Sequence, residues 1–97
     1  MLEEFVALDP SDSFSRYALA LELEKEGKPQ EAVPQLREVI ARDPGYVAAY
    51  QHLGRLLAQS GNTEEAGDVY SRGLEAAIAA NDQRARSEIQ EALEMLE

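Results

Sequence analysis

Few residues in this chain could carry out chemistry. There is one histidine, His52, and no cysteine, so neither a histidine metal cluster nor a thiolate site can be built. No glycine-rich phosphate loop and no HExxH spacing occurs. Carboxylates are then the remaining acids and bases, and they fall on faces expected to be solvated, where nothing shifts their ionisation. Glu88, Glu91, Glu94 and Glu97 recur every three residues. That spacing could hold a cation, but a water-facing side opposite an apolar stripe explains it better. The expectation is a chain that is not an enzyme, with no catalytic residue, no metal and no cofactor.

Recognition is better served. Arg55 offers a planar charged fork that matches a carboxylate, either a partner's or that of one of the chain's own glutamates. Phe14, Tyr17 and Leu21 fall at i, i+3 and i+7, one stripe of a helix. They could anchor an apolar side chain of a peptide, or pack beneath an N-terminal segment around Phe5 and Leu8. His52 is expected to be a partly exposed helix residue.

The elements that must position these groups repeat. Shifting the chain by 34 residues superposes Leu53 on Leu19, Gly54 on Ala20, Leu57 on Leu23, Gly61 on Gly27, Glu65 on Glu31 and Ala66 on Ala32, and brings Asp43-Pro44 onto Asp9-Pro10. A short helix over Leu2 to Leu8 is expected as a cap on the first pair. Ser11-Asp12-Ser13 supplies N-cap side chains to a helix reaching about Glu26, with Leu19, Ala20 and Leu23 inward. Gly27 ends it, and Pro29 starts the next. That helix carries Ala32, Val33, Leu36, Val39 and Ile40, with a local irregularity expected at Pro34. Asp43-Pro44 stops it and opens a third helix, whose inward set is Tyr50, Leu53, Gly54 and Leu57. Gly54 is expected to pack against the partner helix near Ala66. Asn62 with Glu65 forms a capping-box pattern for a fourth helix to about Ala80, burying Ala66, Val69, Tyr70, Gly73, Leu74 and Ala77. Asn81-Asp82 then caps a last helix to about Leu96, with Ala85, Ile89, Ala92, Leu93 and Leu96 inward.

With period, glycine turns and small residues in agreement, residues 13–46 and 47–80 resemble two tetratricopeptide repeats. Residues 1–10 and 81–97 then act as flanking caps on a single all-α helix-turn-helix solenoid spanning 1–97. The second repeat matches better, with Tyr50, Leu53, Gly54, Leu57, Gly61, Ala66 and Tyr70 at family positions. In the first, Arg16 replaces an aromatic, Ala20 the glycine, and Val39 the small residue that Gly73 supplies later. The resemblance implies binding of a protein or peptide in a concave groove lined by the first helix of each repeat. Carried over by position, the groove presents Phe14, Tyr17, Leu21 and Lys25, then Gln51, Arg55 and Gln59, with His52 near its edge. The family's clamp for chaperone C-terminal carboxylates uses Lys and Asn where this chain has Tyr17, Leu21, Gln51 and Arg55, so that clamp is absent.

The bulk properties agree. Ninety-seven residues, 44% of them hydrophobic, allow one small core. Ordering costs of roughly 1.5 kcal/mol per residue leave little margin. A net charge of -10 disfavours nucleic acid and anionic membranes, which need clustered cations. No apolar run approaches membrane-spanning length, and a cytoplasmic adaptor is expected. Two alternatives stand beside it: a homodimer that buries Phe14, Tyr17 and Leu21, and a fragment of a longer scaffold.

Overall fold

The computed structural model describes residues 12–96, so the expected N-terminal cap over Leu2 to Leu8 lies outside the described residues. Regular structure among the described residues is entirely helical: α1 (Ser13–Lys25), α2 (Pro29–Arg42), α3 (Val47–Gln59), α4 (Thr63–Ala79) and α5 (Gln83–Met95). Each helix packs on its neighbour in sequence, and α3 also meets α5. The stack measures 38 × 29 × 18 Å.

Three of the four connections are the same device. After α1, Gly27 at φ +80° turns the chain, the Gly27 N–H donating to the Glu24 carbonyl (3.0 Å) and the Lys28 N–H to that of Leu23 (2.9 Å). Gly61 (φ +89°) and Asn81 (φ +58°) do the same after α3 and α4, with the Asn62 and Asp82 N–H groups reaching back to Leu57 and Ala77. This 6→1, 5→2 pair satisfies helix-end carbonyls that would otherwise be orphaned. The residue that closes one helix also precedes the next, which forces a tight reversal. At α2–α3 the link is instead a turn with Pro44 at its second position, closed by the Tyr46 N–H to the Asp43 carbonyl (3.0 Å). Pro44 thus does not open α3, which begins at Val47. The Tyr50 hydroxyl, donating to the Pro44 carbonyl at 2.6 Å, ties this turn to α3.

The caps are uneven. Asp12 accepts the Ser15 hydroxyl (2.8 Å) and the Phe14 N–H (3.0 Å), and the bonds from Ser15 above all hold its carboxyl below its ordinary value. Asp82 caps α5 through the Ala85 N–H (3.0 Å). The capping box expected at Asn62 does not form: no helix N–H reaches its side chain, whose amide donates to the Ser60 hydroxyl. Pro34 does not interrupt α2. It removes the bond to the Gln30 carbonyl, and both residues lie on the exposed side, where water can replace it.

The core is apolar and two-part. Leu19, Leu23, Leu36, Val39, Ile40, Leu53 and Leu57 join α1–α4, and Tyr70, Ala77, Ala85 and Ile89 join α4 to α5. Full burial of a side chain such as Leu36 or Ile89 contributes about 1.5–3 kcal/mol. Ala49 and Leu56, outside the expected inward set, are also buried, because α3 is covered by α2 on one side and α4 on the other. Glycines set the closest crossings. A Cβ on Gly54 would lie 2.6 Å from the Tyr70 ring, so Tyr70, not Ala66, is what Gly54 accommodates. A Cβ on Gly73 would lie 2.6 Å from Tyr50 Cβ. At the corresponding positions of the first helix pair stand Arg16 and the fully buried Val39, and the Arg16 guanidinium donates to Gln35 on α2 (2.8 Å).

Candidate functional site

The face built from α1, α3 and α5 carries most of the polar side-chain links between non-consecutive helices. Tyr17 reaches from α1 to the start of α3 and to His52. Its ring lies 5.1 Å from that of Tyr46 and 5.3 Å, edge-on, from His52, and its hydroxyl is 2.9 Å from His52 Nδ1. Partial burial, then the neighbouring Tyr46, pushes the Tyr17 phenol upward from its ordinary value. Half-buried as they are, Tyr17 and His52 join the two helix pairs as well as lining the face.

Arg55 makes a two-pronged pair with Glu24 of α1, Nη1 to Oε2 at 2.6 Å and Nη2 to Oε1 at 3.1 Å. Fork-to-carboxylate geometry of this kind is the strong form of an ion pair. It holds the Glu24 carboxyl below its ordinary value and raises Arg55. Of the two roles open to Arg55, the intramolecular one is therefore occupied. Gln51 reaches the other way, its amide donating to Glu88 of α5 at 3.0 Å. That bond, followed by the one from Arg84, lowers the Glu88 carboxyl.

Between α3 and α5 these side chains border a cavity of about 330 Å³, with Gln51, His52, Arg55 and Glu88 at its rim and Tyr70, Ile89 and Ala92 beneath. Of the residues expected to bind, Gln51 and Arg55 line it directly. Tyr17 adjoins it through His52, and Leu21 is half-buried one turn further along α1. Phe14 is 68% exposed, and Gln59 and Lys25 project into solvent at the helix ends. Glu88 and Ala92 were absent from the expected set. The three-residue recurrence of glutamates was the signal for Glu88, which accepts from Arg84 on one oxygen and from Gln51 on the other.

A second depression, about 670 Å³, lies on the opposite side between α2 and α4, lined by Arg37, Ile40, Leu53, Glu65, Val69 and Arg72. It is larger, but an Arg37–Glu65 ion pair spans it, and the Arg72 guanidinium rests over the Tyr50 ring at 5.7 Å. Among the described residues no cluster of metal-ligating side chains occurs, and no helix is long and apolar enough to cross a membrane.

The tetratricopeptide repeat family profile matches residues 17–82. The chain belongs to the tetratricopeptide repeat family. Its fold is that of solved members. A solution NMR structure of a tetratricopeptide repeat domain protein from Salinibacter ruber superposes with a TM-score of 0.86 at 39% identity, covering 92% of this chain and 90% of that one. A crystal structure of a tetratricopeptide repeat domain protein from the same organism gives 0.83 at 38% identity, covering 88% and 94%. A Bordetella parapertussis protein solved in solution gives 0.82 at 29%, covering 98% and 83%. No curated protein matches the chain. Tetratricopeptide repeat domains generally mediate protein–protein contacts and are generally non-catalytic scaffolds. This chain has the family's paired helices, α1–α2 and α3–α4, with α5 beyond them.

Proposed function

We propose that this tetratricopeptide repeat domain is a non-catalytic adaptor, acting in the cytoplasm, that takes a peptide or protein segment along the face of α1, α3 and α5. The boundaries 13–46 and 47–80 delimit its repeats and 81–97 its C-terminal cap. Phe14, Tyr17 and Leu21 give apolar contact, and Gln51, Arg55 and Gln59 polar selection. The observation that supports this most is the cavity between α3 and α5, where an apolar floor of Tyr70, Ile89 and Ala92 lies beneath a rim of hydrogen-bonding side chains. An apolar floor under a rim of a few polar groups is the arrangement of a small recognition site.

The test is peptide-display selection on the folded domain, followed by the bound sequences against Gln51→Ala, Leu21→Asp and the surface control Gln30→Ala. Loss of binding in the first two and retention in the third supports the groove. Equal binding by all of them puts the partner elsewhere. Self-association is a second reading, favoured by the 68% exposure of Phe14. Light scattering over a hundredfold dilution decides it: a dimer that persists in the wild type and is lost in Phe14→Ser would make that stripe an assembly surface.

A further inference from the structure

Resting on the groove reading, the chemistry of the partner can be narrowed, because the three helices give the groove three different walls. On α1 the wall is apolar: Phe14, Tyr17 and Leu21. On α3 it is polar without excess charge, since the one cation, Arg55, is already answered by Glu24 at 2.6 Å. On α5 it is acidic. Glu88 faces the cavity and is held towards α3 by Gln51. Glu91 follows one turn later, on the neighbouring part of the helix surface and exposed. The cation that accompanies Glu88 is Arg84, whose side chain is 90% exposed. A pair so open to water is weak, and another cation can displace it. Across the whole chain 19 acidic side chains stand against 9 basic ones, so the surrounding field attracts cations and repels anions.

We infer that the groove selects a segment that is apolar or aromatic where it lies on α1 and basic where it lies on α5. An acidic segment finds its cations less well placed: Arg55 is held by Glu24, and Arg84 stands beside Glu88 on a chain of net charge -10. With side chains a helix is about 10–12 Å across, so the path from the α1 wall across α3 to the α5 wall is roughly 20 Å. An extended chain covers that in about six residues. The basic residue of the partner therefore follows, or precedes, its apolar anchor by about six positions.

The experiment uses fluorescein-labelled synthetic peptides of about ten residues, with a leucine-phenylalanine pair at one end and, six positions away, two lysines, two glutamines or two glutamates. Each is made in both sequence orders and titrated by fluorescence anisotropy. The lysine form should bind best, roughly tenfold tighter than the glutamate form at low salt, a margin set by two rim charges. That preference should shrink in Glu88→Gln/Glu91→Gln and at high salt. Equal binding of the three forms, still sensitive to Tyr17→Ala and Phe14→Ser, overturns the charge assignment and leaves the groove standing. Preference for glutamate overturns it outright. Binding that ignores Tyr17→Ala and Phe14→Ser, or no binding by any form, removes the groove itself and this inference with it. Circular dichroism of each variant separates lost contact from lost fold.

Discussion

Arg55 illustrates how one side chain can be legible in kind and not in partner. Its fork announced carboxylate recognition, but the carboxylate it meets is Glu24, on another helix, and not the nearest glutamates in sequence. Only the three-dimensional crossing of α1 and α3 selects Glu24 from so many. With side-chain exposures of 41% and 26% the pair is half-screened, and its loss should cost about 1 kcal/mol. Arg55→Glu sets two carboxylates against each other, so it should lower the denaturation midpoint as well as any binding. The double exchange Glu24→Arg/Arg55→Glu should regain most of the loss in a denaturation cycle; an Arg55→Glu protein as stable as wild type would show that the pair contributes nothing. Asn81 allows a second residue-scale forecast. At φ +58° it holds the left-handed turn that Gly27 and Gly61 hold elsewhere. Asn81→Gly should be tolerated, whereas Asn81→Ala should cost about 1–2 kcal/mol in urea titrations.

Helices were readable because their punctuation is chemical: Asp12 and Asp82 cap, Gly27 and Gly61 turn, and Pro29 starts. What pairing does to a helix was less readable. A pattern along α3 shows one apolar face, yet Ala49 and Leu56 are buried too, because a helix inside a stack is covered from two sides. The glycines of α3 and α4 test this at the element scale. Gly73→Ala must push its Cβ against Tyr50 Cβ at 2.6 Å, an atom anchored to backbone. It should destabilise by roughly 1–3 kcal/mol despite the better helix propensity of alanine. Gly54→Ala meets ring atoms of Tyr70 instead, which can tilt, so its loss should be smaller. At Gly67 a Cβ would meet only Leu96 Cδ1 at 3.9 Å, an ordinary contact, and Gly67→Ala should stabilise by up to about 1 kcal/mol. Thermal melts should therefore rank Gly67→Ala above wild type, then Gly54→Ala, then Gly73→Ala; any other order would mean that these crossings are looser than the geometry describes.

For the molecule as a whole, charge is the term that solution conditions can move. Glu24, Glu65 and Glu88 are held below their ordinary value of 4.5 by hydrogen bonds from Arg55, Arg37 and Gln51 respectively, and Asp12 below 3.8 by Ser15. The unfolded chain takes up protons at the ordinary values, and the folded one at lower pH. Their contribution is thus complete above about pH 4.5 and drains away as the pH falls through the folded values. Calorimetry should show the melting temperature dropping on that acid limb, less steeply in Glu24→Gln. Salt at pH 7 sets two effects against each other. It weakens the ion pairs seen among the described residues, Lys28–Glu26, Arg37–Glu65, Arg42–Glu38, Arg55–Glu24 and Arg84–Glu88, each worth about 0–1 kcal/mol at most. It also screens the mutual repulsion of a chain with net charge -10, which opposes compaction over the entire surface. Two of the pairs, Lys28–Glu26 and Arg84–Glu88, lie half or more exposed on their basic side and have little left to lose. Repulsion should win, and the melting temperature should rise with sodium chloride up to the point where the Debye length falls to a few ångströms, about 3 Å at 1 M. A melting temperature that falls with added salt would mean instead that the links across α1, α3 and α5, rather than the apolar core, limit the stability of the stack.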